Sequence, residues 1–135
     1  MNEINNVTDD ILNQVHKINE TSQQIVLATT GSGHSAAGWL LSSPDASKTM
    51  LEVIIPYSSK ALTSFLGFEP IEVVSQKTSW EMALKAYNIA MQETNFPVGV
   101  GCTTDITYTS HTSKIIISVW TPAKTVIFRI YTSKN

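Results

Sequence analysis

The sequence predicts a three-layer α/β/α domain on a mixed, mostly parallel sheet of about five strands, closed by a C-terminal β-hairpin. Three observations predict it. Short runs rich in Val and Ile alternate with stretches whose apolar residues recur at helical spacing. One run, Ile25-Val26-Leu27-Ala28, is apolar throughout, as a strand covered on both faces must be. The last two runs, Lys114 to Trp120 and Lys124 to Tyr131, are separated only by Thr121-Pro122-Ala123, the spacing of a hairpin. At 135 residues the chain reads as one domain, 1–135, with residues 1–7 expected to be disordered.

Taken in order, Thr8-Asp9-Asp10 marks a helix start, and Ile11, Leu12, Val15 and Ile18 share one face. His16 lies one residue off that stripe and reads as a partly exposed helix histidine. The apolar strand Ile25 to Ala28 follows, then the helix Ser35 to Ser42, which Pro44 stops. Pro44-Asp45-Ala46-Ser47 is a turn, and Met50 to Tyr57 is a strand. Ser58 opens a helix over Ser59 to Leu66, with Gly67 in the left-handed capping position. Phe68 to Val74 is loop. Ser75 or Thr78 begins the longest helix, Thr78 and Glu81 having capping-box spacing, and the stripe Trp80, Leu84, Tyr87, Met91 reads as its core face. Pro97 to Thr104 is a further strand, Asp105 to Ser113 a polar loop, and the hairpin ends the chain.

Charge and composition narrow the function classes. The net charge of −2, with nine dispersed Lys and Arg, argues against a nucleic-acid partner, since such binding needs clustered cations to displace counterions. No apolar run approaches ~18 residues, so no membrane span is expected, and the polar start of the chain is no signal peptide. One cysteine, Cys102, excludes an internal disulfide, and no Cys/His spacing suits a metal. No metal and no cofactor are expected, and the chain is expected to be cytoplasmic.

The candidate site is Thr29-Thr30-Gly31-Ser32-Gly33-His34-Ser35, between a strand and a helix. A glycine turn that feeds a helix N-terminus leaves N–H groups aimed at one spot, where an anion can sit. The alternative stays open: Gly31 and Gly33 supply only turn conformation and Ser35 only a cap. The stretch is neither a phosphate loop nor a full Gly-x-Gly-x-x-Gly, because Ala36 stands at the third glycine. Gly99-Val100-Gly101-Cys102-Thr103-Thr104 is a second small, hydroxylated strand end, and both are expected to face one crevice at the carboxyl edge of the sheet. The competing reading is that Gly99 and Gly101 merely admit a packed helix.

In this order, Thr29 to His34, Pro44 to Ser47, Tyr57-Ser58-Ser59-Lys60-Ala61-Leu62 and Val74-Ser75 resemble the C-terminal domain of the competence-damage protein CinA, the nicotinamide mononucleotide deamidase family. That family carries Glu-Ser-Cys-Thr-Gly-Gly, a Pro/Ala-Gly-Ser-Ser turn, Tyr-Ser-Asn-Glu-Ala-Lys and Val-Ser at the matching places. The resemblance implies a nicotinamide-nucleotide amidase that turns nicotinamide mononucleotide into nicotinate mononucleotide and ammonia, acting as a homo-oligomer on a small phosphorylated nucleotide. The catalytic residues the resemblance implies are Thr30 at the family's serine, Ser32 two residues on as its substitute, Tyr57, and Lys60, which lies two residues before the place of the family's lysine. The substrate-binding residues are Gly31, Gly33, His34, Ser47, Ser58, Cys102, Thr103 and Thr104.

The chain departs from the family at several points. Leu62 stands at the family's lysine, Cys102 to Asp105 replaces a Ser/Thr-Gly-x-x-Gly-Pro loop, and the family's arginine belongs to a helix beyond the last strand, with Arg129 no obvious substitute. These departures favour the second reading, a catalytically degenerate CinA-like nucleotide-binding or regulatory/oligomerisation domain. A catalytic Cys102 thiol is a further, lesser possibility, because no histidine or cation stands beside it in sequence.

Overall fold

The computed structural model describes residues 2–31, 33–107 and 112–133, and their side chains except those of 2–7, 106–107, 112 and 133. The elements run α1 (Asn2–Asn19), β1 (Gln24–Thr30), α2 (His34–Ser42), α3 (Ala46–Thr49), β2 (Met50–Ile54), α4 (Ser59–Leu66), α5 (Gln76–Met91), β3 (Pro97–Thr107), β4 (Thr112–Trp120) and β5 (Thr125–Ser133). They build one five-stranded mixed sheet in the order β2-β1-β3-β4-β5. β1 pairs in parallel with both β2 and β3, while β3–β4 and β4–β5 are antiparallel.

The uncharged β1 run lies where its composition requires, between two strands and two helical layers. Because side chains alternate along a strand, Val26 and Ala28 enter the core that Leu62, Leu66, Met82, Ala86 and Ala90 form under α4 and α5. Leu27 enters the opposite core with Ala37 of α2 and Met50. α1 packs on α2 and α3 through Val15. His16 is exposed and pairs with Glu20 at 3.1 Å.

α5 rests directly on β3, as the competing reading of Gly99 and Gly101 has it. A Cβ on Gly99 would stand 2.3 Å from Ala83 O and from Tyr87 N, and one on Gly101 would stand 2.3 Å from Ser79 O. The two glycines, one strand period apart, are therefore the seat of the helix. The buried face of α5 is accordingly small: Ser79, Ala83, Ala86 and Ala90, with Met82. The expected core stripe is displaced to the flank, where Trp80, Leu84 and Tyr87 are half-buried and Met91 is 52% exposed. Trp80 and Tyr87 lean on Trp120 of β4, with ring centroids 4.8 and 6.1 Å apart. Beneath them the Ser79 and Ser118 hydroxyls share a buried hydrogen bond.

Several boundaries move. α1 starts at Asn2, not Thr8, and α3 forms inside the expected turn. β2 stops at Ile54, three residues short of Tyr57. Ser75, not Thr78, caps α5: its Oγ accepts from Thr78 N at 3.1 Å. β3 continues to Thr107 and β4 begins at Thr112, so only 108–111 of the expected loop remain, outside the described residues. The longer pairing follows from the β-branched residues at Thr103, Thr104, Ile106 and Thr107.

Candidate functional site

The carboxyl ends of the three parallel strands lie at one edge of the sheet. β1 ends there in Thr29-Thr30, β2 leads there into Tyr57-Ser58, and β3 passes there as Cys102-Thr103-Thr104. Thr30 pairs with Thr103 and Thr29 with Cys102 across the β1–β3 ladder. The central strand with parallel neighbours on either side is where open α/β sheets place ligands.

The pleat divides this edge into two faces. Thr30 and Thr103 point to the α4–α5 face, 5% and 0% exposed. The Thr103 hydroxyl donates to Val73 O at 2.8 Å. Cys102 and Thr104 point to the α2 face. There Gly33 lies against Thr29 and Cys102: a Cβ on it would stand 2.0 Å from Thr29 Oγ1 and 3.4 Å from Cys102 Sγ. Gly31 has φ +92° and lies against Thr104, whose Oγ1 would be 2.1 Å from an added Cβ. Gly31 is thus needed for conformation and close approach and Gly33, at φ −74°, for close approach alone; Gly33 begins α2 with no side-chain cap.

His34 is the first residue of α2 and is exposed. Ser32 lies outside the described residues. Tyr57 is 76% exposed. Ser58 caps α4, its Oγ accepting from Ala61 N at 3.0 Å, and Lys60 is exposed in the first turn of that helix. Both stand on the α4–α5 side of the sheet with Thr30. Burial pushes the Cys102 thiol up, against a smaller opposite effect of the neighbouring Thr29 hydroxyl, so at neutral pH it stays protonated. A buried neutral thiol is a packing group and a poor nucleophile.

Two expectations fail on geometry. Ser47 sits in α3, just before β2 begins, and so at the amino edge of the sheet; Lys48 O beside it accepts from Gln24 Nε2, at the start of β1, at 3.4 Å. It does not join the other residues. Gly99 and Gly101 lie inside β3 under α5, not at a strand end facing the crevice. The backbone of Glu72-Val73 is the part sequence reasoning missed. Its approach to Thr103 spans 30 residues and leaves no local signature beyond the hydroxyls of Ser75 and Thr78.

No described helix is long and apolar enough to cross a membrane. No protein-family model matches the chain, and no curated protein matches it. Solved structures do. The competence damage-inducible protein A of Klebsiella pneumoniae superposes with a TM-score of 0.69 at 11% identity, over 93% of this chain and 83% of that one. A CinA superfamily protein of Escherichia coli gives 0.67 at 12% identity, over 93% and 76%. The competence/damage inducible protein CihA of Agrobacterium tumefaciens gives 0.66 at 14% identity, over 89% and 78%. The chain has the CinA-like α/β fold, in a divergent sequence.

Proposed function

We propose that this CinA-like chain binds a small phosphorylated nucleotide at the carboxyl edge of β1 and β3 and acts on it as a nicotinamide-nucleotide amidase. The observation that carries the reading is the pairing of Thr30 with Thr103 beside the Gly31–Gly33 turn that opens α2. Thr30, or Ser32 in its stead, adds its hydroxyl oxygen to the carboxamide carbon while the proton leaves for the departing nitrogen. Ammonia is released, and water then cleaves the ester to give nicotinate mononucleotide. N–H groups at Gly33 and His34 serve the oxyanion or the phosphate. Tyr57 and Lys60 orient the substrate, and Ser58 holds their helix start.

Self-association belongs to the same proposal. The face of β3, β4 and β5 opposite α5 carries Val100, Ile117, Val119, Val126 and Phe128 with no charged side chain among the described residues, so a second copy meets it without like-charge repulsion. A cytoplasmic setting suits the single free thiol.

The burial of Thr30 favours a second reading, in which this edge of the sheet binds the nucleotide without turnover. Ammonia release from nicotinamide mononucleotide separates the two. Release that Thr30→Val and Ser32→Ala together abolish supports the amidase; stabilisation by the nucleotide with no release supports the binding module; neither response overturns both.

A further inference from the structure

The segment between α4 and α5 passes the candidate site at Glu72-Val73, and burial does not hold it there. Ile71 is 98% exposed and Val73 40%, so the segment removes little apolar surface from water. Three hydroxyls hold it instead. Ser75 Oγ and Thr78 Oγ1 donate to Glu72 O at 3.0 and 2.5 Å, and Thr103 Oγ1 donates to Val73 O at 2.8 Å. The first two belong to the start of α5 and fix the segment relative to its own helix. The third comes from β3 and fixes it relative to the strand that pairs with Thr30.

Thr103 is fully buried, and its one hydroxyl proton is committed to Val73 O. It has no proton left to donate to a ligand, which changes the role expected for it.

We propose that Thr103 is a positioning residue: through the Val73 carbonyl it holds the Glu72-Val73 segment beside Thr30 and so sets the width of the ligand's entrance from the α5 side. The inference rests on the nucleotide reading above. Thr103→Val keeps the shape and loses the donor, while Thr103→Ser keeps the donor.

The test combines backbone hydrogen exchange at residues 71–74 with the thermal shift produced by nicotinamide mononucleotide. The expected result for Thr103→Val is faster exchange in that segment and a half-saturating nucleotide concentration raised about fivefold, the worth of one net hydrogen bond. Thr103→Ser restores both. Where turnover is measurable, KM rises and kcat holds. Thr78→Val, which removes one of the two hydroxyls on Glu72 O and leaves that of Ser75, loosens the same segment and carries the same test should Thr103→Val fail to fold. Faster exchange with unchanged nucleotide response, or a weakened response that Thr103→Ser does not restore, overturns the positioning role alone. No nucleotide response in the unaltered protein overturns it together with the ligand reading.

Discussion

Two glycine pairs stand on neighbouring strands of this sheet and do different work. Gly31 and Gly33 sit beyond the end of β1, where the chain turns with positive φ at Gly31 alone and brings its backbone against Thr104 and Thr29. Gly99 and Gly101 sit within β3, in ordinary extended conformation, where the backbone of α5 leaves no room for a side chain. The first pair shapes an open polar edge; the second shapes the core. Two glycines with one residue between them are thus no indicator of a ligand turn until it is known what a Cβ there would meet.

Substitution separates the pairs. Gly101→Ala or Gly99→Ala forces a methyl group to within 2.3 Å of helix backbone. Backbone cannot move aside as a flexible side chain can, so a loss of about 3 kcal/mol or more is expected in urea unfolding. Gly31→Ala meets Thr104 Oγ1 at 2.1 Å and Thr104 O at 2.8 Å, at a φ of +92°. The hydroxyl can rotate away and the carbonyl contact is looser than those under α5, which leaves the backbone strain and a small displacement, about 2 kcal/mol. Equal losses at Gly31 and Gly101 would erase the distinction drawn between the pairs.

Ser118→Ala removes a buried partner of Ser79 beneath α5 and is expected to cost about 1 kcal/mol. Its effect on nucleotide response should be nil, since it lies on the core side of the comparison. The smallest effect belongs to Cys102. A thiol whose folded pKa is raised contributes stability that is intact at neutral pH and lost as pH climbs through the ordinary thiol range toward the folded value. The urea midpoint should therefore fall between pH 7 and 10, less steeply in Cys102→Ala, and an aromatic disulfide reagent should label the native thiol slowly. Rapid labelling at pH 7 would return Cys102 to the list of reactive groups.

Local chemistry was readable in the sequence where a single residue decides it. Gly67 ends α4 at φ 87°, Ser58 caps it, and the helix spans Ser59–Leu66 as Ser, Leu and Gly spacing predicts. The order of elements, α3 apart, followed from periodicity. What escaped were contacts set by a distant partner. The α5 stripe pointed to Trp80, Leu84 and Tyr87 because hydrophobicity marks the largest side chains, whereas the helix sits on its alanines and Ser79, a face that makes sense only with Gly99 and Gly101 beneath it. Ser47 fitted a motif by order along the chain, yet parallel topology puts the residue before β2 at the amino edge, the far side from Thr30. The split of Thr30 and Thr103 from Cys102 and Thr104 follows from strand alternation, which the expectation that both strand ends face one crevice leaves out.

The most direct test is the thermal shift of the unaltered protein and of Thr30→Val over a titration of nicotinamide mononucleotide. The ligand site claimed at the carboxyl edge of β1 and β3 predicts stabilisation that grows with nucleotide concentration in the first and is lost or much weakened in the second. Identical curves for the two proteins, or no stabilisation of either, would contradict it.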